Sequence, residues 1–447
     1  MTSHPLHCQF VPPWLLEHIA EPGDARTMAV DTVTEAVTHT LRTDEQIRAA
    51  RAGKGKRPPR PAAKAAWAVY TASSTQNLPG TLMRTAGDPD STDVAVNEAA
   101  TGGQAALDMY SKVYGRDSYD GKGAEVVMSV HYGQRYDNAF WNGTQLVFGD
   151  GDGKIFGSFT KPVDVLGHEL THAVTEDTAG LVYSNEPGAL NESMSDVFGI
   201  CAKQRLLGQT ADQADWLIGE GIFLPGVQAR ALRDMAHPGT AYDDPQLGKD
   251  PQVGSYADYV HTTSDNGGVH INSGIPNRAF QLAATGIGGS SAEGAGKIWY
   301  AALTGSGVGP NTDFAGFAAA TIAAAGPHAD VVRQAWTTVG VTPAATAGSG
   351  RIGPKHLAPS SIGVRRTGGF AGVTKAGQLD LDGDDPRVED VRRLVHRTDF
   401  SALSSGPAQA DAFSYTFFLP EHDEVTVAED DLTHDLRRLI ELLLRDS

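Results

Sequence analysis

"LGHELTHAVTEDTAG" (Leu166–Gly180) contains His-Glu-x-x-His, with His168 and His172 four residues apart. On a helix, residues i and i+4 share a face, so both imidazoles can point at one metal ion. Glu169 stands one step round, where a carboxylate can sit beside such an ion without binding it and act as a general base. Three fixed residues also arise by chance, and the bland reading is a polar helix with two hydrogen-bonded histidines. A catalytic zinc needs three protein ligands and an open position. "GALNESMSD" (Gly188–Asp196) supplies the third in Glu192, on a second predicted helix. Asp196, one turn further on, can accept a ring N–H of a zinc histidine and fix its tautomer, and Asn191 can support the site in the same way.

Working outward, the chain of 447 residues is long enough for two or three domains. Its 36 basic and 54 acidic side chains leave a net charge of −18, which argues against nucleic acid and anionic membranes as partners. No run of 18 apolar residues is present, so no membrane span is expected. The start "MTSHPLHCQFVPPWLLEHIA" lacks a basic n-region and does not read as a signal peptide. Cytoplasmic synthesis is expected, with a non-classical secretion route left open. Two cysteines, Cys8 and Cys201, do not make a disulfide framework. A monomer is expected.

Residues 1–60 read as a leader with a short helix at "PPWLLEHIA", a polar helix at "DTVTEAVTHTLRTDEQIRAARA" and a basic, Pro-rich linker "GKGKRPPRPAAK". The apolar "VPPWLL" needs a surface to cover it. Residues 61–160 are β-rich with one helix in "STDVAVNEAATGGQAALDMYSKVYG", and 161–343 are helical and Ala-rich. A β-rich lobe followed by a helical lobe is an α+β arrangement with a natural cleft between lobes. Residues 344–361 read as a second linker. Residues 362–447 read as a small α+β domain with a hairpin around Pro420–Asp423 and a closing amphipathic helix N-capped by Asp431. No internal repeats are found.

Peptide hydrolysis also requires donors for the developing oxyanion. "SDNGGVHINSG" offers His270 with Asp265 to orient it and hold it protonated, and "TAGLVYSNE" offers Tyr183. Spacing alone does not separate these from structural residues.

Taken together, "GHELTHAVTEDTAGLVYSNEPGALNESMSD", "YDNAFWNG", "VFGDGDG" and "DNGGVHINSG" resemble the thermolysin family, in the same order and over roughly 66–343. The resemblance implies a two-lobed fold with zinc, one ion per chain, held by His168, His172 and Glu192. It implies that Glu169 activates water and passes the proton to the leaving amine. Tyr183 and His270 become oxyanion donors, with Asp265 orienting His270. Asn138 and Ala139, in an edge strand, resemble the groups that hold substrate backbone by strand addition. Arg233 resembles the arginine that grips a substrate carbonyl. Protein and peptide substrates are implied, cut on the N-terminal side of a bulky apolar residue.

The paired calcium site of that family matches at Asp164, Asp215 and Glu220, but Lys203 stands where a bridging glutamate would be and Leu217 replaces another acidic position. An ammonium can replace a cation directly, so one calcium or none is expected. A second calcium loop looks lost, because Phe223 and Arg230 occupy its ligand positions.

The leader resembles the propeptide of protealysin-like enzymes, which covers the active-site cleft, with Pro12, Pro13, Trp14, Leu15 and Leu16 as docking motif. Cys8 could approach zinc as a thiolate, and packing is the preferred role. Within 362–447, "RRTGGFAG", the "SYTFFL…VTV" hairpin and the closing helix resemble emfourin, a proteinaceous inhibitor of protealysin-like enzymes. The resemblance implies a zymogen restrained in cis by its propeptide and by an inhibitor-like domain. Two other readings stand beside it: the same enzyme with the C-terminal domain as a partner or substrate adaptor, and a silent pseudo-enzyme that binds proteins.

Overall fold

The computed structural model describes residues 9–20, 28–52, 66–344, 361–368, 375–381, 385, 387–398, 413–419 and 422–444. Cys8, the linker "GKGKRPPRPAAK" beyond Ala52, residues 345–360 and the 420–421 turn lie outside the described residues. The chain divides into two compact units, 2–346 and 347–447.

The first unit opens with the leader helices α1 (Pro13–Ala20) and α2 (Met28–Ala52). The β-rich lobe follows with β1 (Trp67–Thr71), β2 (Thr81–Thr85), α3 (Val94–Tyr114), β3 (Val126–Val130), β4 (Ala139–Trp141) and β5 (Leu146–Phe148). Its sheet has the order β2-β1-β3-β5-β4, with β1, β3 and β5 parallel and an antiparallel strand at each edge. α3 begins where Asp93 accepts the Ala95 and Val96 amides and ends at Gly115, whose φ of +67° suits a residue without Cβ. β4 is an edge strand, so one side of its backbone is open to a further strand.

The helical lobe contains α4 (Val163–Asp177) and α5 (Asn185–Leu207), then the two-stranded pairs β6 (Leu217–Ile218) with β7 (Arg233–Asp234) and β8 (Asp243–Asp244) with β9 (Gly248–Lys249). It closes with α6 (Asp265–Asn272), α7 (Gly274–Ile287), α8 (Ala295–Thr304), α9 (Phe314–Ala324) and α10 (Ala329–Thr338). α4 is buried from Asp164 to Thr175 and α5 from Gly188 to Gln204. Glycine lets the two helices meet closely. A Cβ on Gly167 would lie 2.8 Å from the Gly199 Cα, and one on Gly199 would lie 2.6 Å from the Asp164 carbonyl. Alanine at either place would push apart the two helices that carry the predicted metal ligands.

The second unit has β10 (Ser361–Gly368), β11 (Lys375–Asp380), α11 (Val388–Arg397), β12 (Phe413–Leu419), β13 (His422–Ala428) and α12 (His434–Leu444). Its antiparallel sheet runs β11-β10-β12-β13, over a core that includes Ile362, Val364, Phe417, Leu436 and Leu439. The expected cap at Asp431 is corrected. Asp431 ends a 3₁₀ turn, and the Thr433 hydroxyl accepts the Leu436 amide at 3.3 Å. The closer hydroxyl is the one placed to satisfy the first turn of α12.

At the expected calcium position, the buried Lys203 ammonium is 3.0 Å from a Glu220 oxygen, 3.2 Å from an Asp215 oxygen and 3.1 Å from the Leu217 carbonyl. Asp164 instead accepts the Gly219 amide at 2.6 Å. Burial works against the charge on Lys203, but Asp164, Asp215 and Glu220 outweigh it and raise its pKa. Phe223 packs on Phe156 and Tyr242, and Arg230 bonds Asp234 and the Thr240 carbonyl, so these two side chains have structural partners. We predict that Lys203→Met costs about 2–3 kcal/mol. That is below the full cost of orphaning a buried pair, because the Asp215 and Glu220 side chains are 35% and 50% exposed. Thermal melting checks this. The wild-type midpoint should be unmoved by a calcium chelator, and a fall of several degrees on chelation would contradict the ammonium's role.

Candidate active site

α4 and α5 bring the three predicted ligands together. The His168 and His172 Nε2 atoms are 2.9 Å apart, and Glu192 oxygens lie 3.5 and 3.7 Å from them. All three side chains are buried, and one ligand atom from each falls within a 4.8 Å cluster. The outer ring nitrogens are taken. His168 Nδ1 is 2.8 Å from Asp196, and His172 Nδ1 is 2.8 Å from the Asn191 side-chain oxygen. With Nδ1 donating, each Nε2 is left as the lone-pair donor that a metal requires. Two neutral imidazoles and one carboxylate in a tight triangle suit zinc. Burial, then His168, pushes the His172 pKa down to about 3, so the ring is neutral. Burial works against the charge on Glu192, but His270, His172 and His168 hold it down at about 2.

Glu169 is fully buried beside this triangle, and neither of its oxygens has a hydrogen-bond partner. Burial, then the Glu192 charge, drives its pKa well above the usual carboxylate range. A carboxyl buried beside the ligand triangle is placed to take a proton there and pass it on.

Tyr183 and His270 close the other side. The Tyr183 hydroxyl bonds Glu192 and lies 3.3 Å from His270 Nε2. Asp265 accepts both the His270 Nδ1–H at 2.6 Å and the His270 backbone N–H at 2.9 Å. The tight turn Asn266–Gly268, with φ of 51°, 89° and 73°, makes that double contact. A Cβ on Gly267 would come within 2.4 Å of the Asn185 side-chain oxygen, so glycine is required there. Burial works against charge on His270, but Asp265 and Glu192 lift its pKa to about 9.

Asp196 does more than hold His168. Arg233 donates to both of its oxygens at 2.8 and 2.7 Å, and Asn277 donates at 2.8 Å. Burial opposes the charge, but Arg233 and His168 keep the carboxyl well below its usual range. Arg233 was read only as a substrate contact, and Asn277 had no motif to mark it.

The leader fills the cleft, and its hydrogen bonds to the site residues come from Gln9–Val11, just before the expected docking motif. The Phe10 amide donates to the Ala139 carbonyl at 3.1 Å, and Arg233 donates to the Phe10 carbonyl at 3.2 Å. The Val11 amide donates to the Asn138 side-chain oxygen at 2.9 Å, and the Asn138 amide group donates to the Val11 carbonyl at 3.2 Å. His270 Nε2 is 3.0 Å from the Gln9 carbonyl. Gln9–Val11 thus supply these hydrogen bonds to the site residues, and the expected docking motif Pro12–Leu16 follows directly behind them. Pro12 accepts the Leu15 and Leu16 amides to start α1, Leu15 and Leu16 are buried, and Trp14 packs against the core. The apolar Phe-Val before Pro-Pro was a usable signal.

α2 grips the same strand from behind. Asp44 bonds the Tyr136 hydroxyl and accepts from the Asn138 amide group at 3.2 Å, and Thr40 accepts the Asp137 amide at 3.0 Å. Asp44 and Thr40 are fully buried. Their sequence offered only a polar helix, because the donors they meet lie some 90 residues away.

Comparison with known proteins agrees. Residues 31–176 match the catalytic domain of thermolysin metallopeptidases, 179–341 match their α-helical domain and 364–444 match emfourin. An extracellular metalloprotease of Pectobacterium carotovorum subsp. carotovorum is 47% identical over 352 residues, covering 76% of this chain and 98% of that protein. Protease PrtS of Photorhabdus sp. (strain Az29) is 48% identical over 256 residues, covering 57% and 69%. The solved precursor of protealysin, a metalloproteinase from Serratia proteamaculans, superposes with a TM-score of 0.67 at 46% identity, covering 75% of this chain and all of that one. With the ligand triangle, the buried base and a leader in the cleft, these matches show that the chain belongs to the thermolysin family of zinc metallopeptidases, in its protealysin-like branch, and carries a C-terminal emfourin domain.

Proposed function

We propose that this zinc endopeptidase works through His168, His172 and Glu192 as metal ligands, Glu169 as proton carrier, and His270 and Tyr183 as oxyanion donors. The observation that carries the reading is the three-sided convergence of ligand triangle, raised-pKa carboxyl and charged imidazole around one cleft. A zinc ion held by His168, His172 and Glu192 would polarise the scissile carbonyl and acidify a water. Glu169 takes the proton that this water gives up and hands it to the leaving amine. His270, kept cationic by Asp265, donates to the oxygen on which negative charge grows, and Tyr183 supplies a second donor. Asn138, Ala139 and Arg233 hold substrate backbone by adding it to β4.

Preference for a bulky apolar residue after the cut bond is supported by Phe10. Its ring is fully buried, 5.2 Å from the His168 ring and under the Arg233 guanidinium at 4.8 Å. A Cβ on Gly219 would meet that ring at 3.2 Å, so glycine sets the pocket's depth.

The leader acts as an inhibitor in cis, supported by its occupation of every backbone-binding group named above. The emfourin domain is a second restraint in cis. Covalent tethering gives a module a local concentration of roughly millimolar, at which even weak binding silences an enzyme.

Four measurements test this. Glu169→Ala is expected to abolish hydrolysis of casein and of a furylacryloyl dipeptide while zinc content by atomic absorption stays at one per chain. His270→Ala should lower kcat on the order of 10²-fold with little change in KM, as for loss of one oxyanion donor. Retention of full kcat would remove His270 from the mechanism. In protein already lacking the leader, deleting 362–447 should raise kcat/KM, and equal activity with and without it would end the cis-inhibition reading. Asp44→Ala should weaken the leader's hold and speed the appearance of activity in the full chain. An unchanged lag would show that Asp44 is not part of the restraint.

A further inference from the structure

The leader does not merely block the cleft; it runs through it as a substrate would. Resting on the site assignments above, the five polar contacts of Gln9–Val11 fix both its direction and its register. The Phe10 amide meets Ala139, the Phe10 carbonyl meets Arg233, and both polar groups of Val11 meet the Asn138 side chain. The Phe10 ring fills the apolar pocket on the same side. On the other side of one peptide bond, the Gln9 carbonyl oxygen lies 3.0 Å from His270 Nε2. A blocking segment threaded backwards, or shifted by one residue, would not place a carbonyl oxygen on the oxyanion donor and an apolar ring in the pocket together.

We propose that Gln9–Phe10 is a bond this enzyme cuts in its own leader. Water adds across the bond: the Gln9 carbonyl carbon gains the oxygen and ends as a carboxylate, and the Phe10 nitrogen gains a proton and leaves as an amine. Glu169 carries that proton from the water to the Phe10 nitrogen. No other reactant is consumed.

This cut does not open the cleft. Residues 10–52 keep the contacts to Ala139, Arg233 and Asn138, the buried Leu15, Leu16 and Ile19, and the Asp44 and Thr40 anchors on β4's approach. Among the described residues, the cut frees only Gln9 from the site. The product therefore stays bound as an inhibitor, and activity appears only when a later cut beyond α2 lets the rest of the leader go. The first cut is a self-test of a competent site that leaves the enzyme silent.

The experiment uses the purified full chain loaded with zinc, followed over hours by intact mass, N-terminal sequencing and analysis of the low-mass fraction. A peptide ending at Gln9 and a leader species beginning at Phe10 are expected, appearing before hydrolysis of a furylacryloyl dipeptide. Glu169→Ala should yield neither. Phe10→Gly should lose the cut at this bond while the processed enzyme still hydrolyses the dipeptide. Amide hydrogen exchange in the zinc-loaded Glu169→Ala chain gives a readout free of turnover. The Phe10 and Val11 amides should be protected, and adding Phe10→Gly should abolish that protection. A chain that hydrolyses the dipeptide yet never yields a Gln9 terminus, or whose Phe10 and Val11 amides exchange freely, overturns the proposal and leaves the enzyme reading intact. If no form hydrolyses either the dipeptide or the leader, both fall together.

Discussion

One buried carboxylate, Asp196, ties together parts of the chain that are far apart in sequence. It accepts from His168 on α4, from Arg233 on β7 and from Asn277 on α7, and is itself on α5. A buried carboxylate without donors would be costly, and this one is satisfied on both oxygens. The consequence is mechanical. The tautomer of a metal histidine and the position of the arginine that meets a bound carbonyl are set by the same group. Metal geometry and substrate geometry therefore cannot drift independently, as a preorganised site requires. The contact of Gly167 with Gly199 serves the same end, because it holds α4 and α5 close enough for Asp196 to reach His168.

The leader uses these substrate-binding groups against the enzyme. Asn138 shows the economy of the arrangement: its side-chain oxygen accepts from Val11 and Ala139, while its amide group donates to Val11 and Asp44. One leader segment takes the substrate's place, and a second, 30 residues later, braces the same side chain from behind. Burying the Phe10 ring contributes roughly 2–3 kcal/mol on its own. That alone would be a weak inhibitor, but its covalent connection to α1 and α2 adds anchoring that a free peptide lacks.

Local patterns made much of this legible. His168, His172 and Glu169 follow from helical periodicity, and Glu192 and Asp196 follow once a second helix is placed near the first. The β-rich lobe, the helical lobe and the C-terminal hairpin were readable from alternation, Ala-rich helical patterns and turn residues. What could not be read lies in contacts between distant segments. Asp44 looks like any polar residue on a solvated helix until Tyr136 and Asn138 are brought to it. Asn277 has no motif, and its role exists only because α7 ends up beside α5. The leader's hydrogen-bonding residues were hidden for a different reason. Gln9–Val11 carry no motif of their own, yet Phe10 and Val11 keep the backbone N–H groups that strand addition needs and that Pro12 and Pro13 lack.

Charge balance links the site's chemistry to its stability. Four acidic side chains are buried around the cleft: Glu169, Glu192, Asp196 and Asp265. Two cations face them, Arg233 and the His270 held charged by Asp265. Arg233 answers Asp196, while His270 is shared by Asp265 and by Glu192, whose oxygen lies 3.6 Å away, so the four carboxyls outnumber the cations by two, with Glu192 and Glu169 close enough to repel. Mutual repulsion of those two contributes to the rise in the Glu169 pKa. A doubly charged ion at His168, His172 and Glu192 balances both, which suits it to the site for reasons beyond ligand geometry. It would also lower the affinity of Glu169 for its proton from the high value that burial imposes, toward the range where a carboxylate can both accept a proton and release it. Such an ion would therefore complete the charge pattern that the surrounding residues leave open, and folding of the cleft and metal binding become coupled through it.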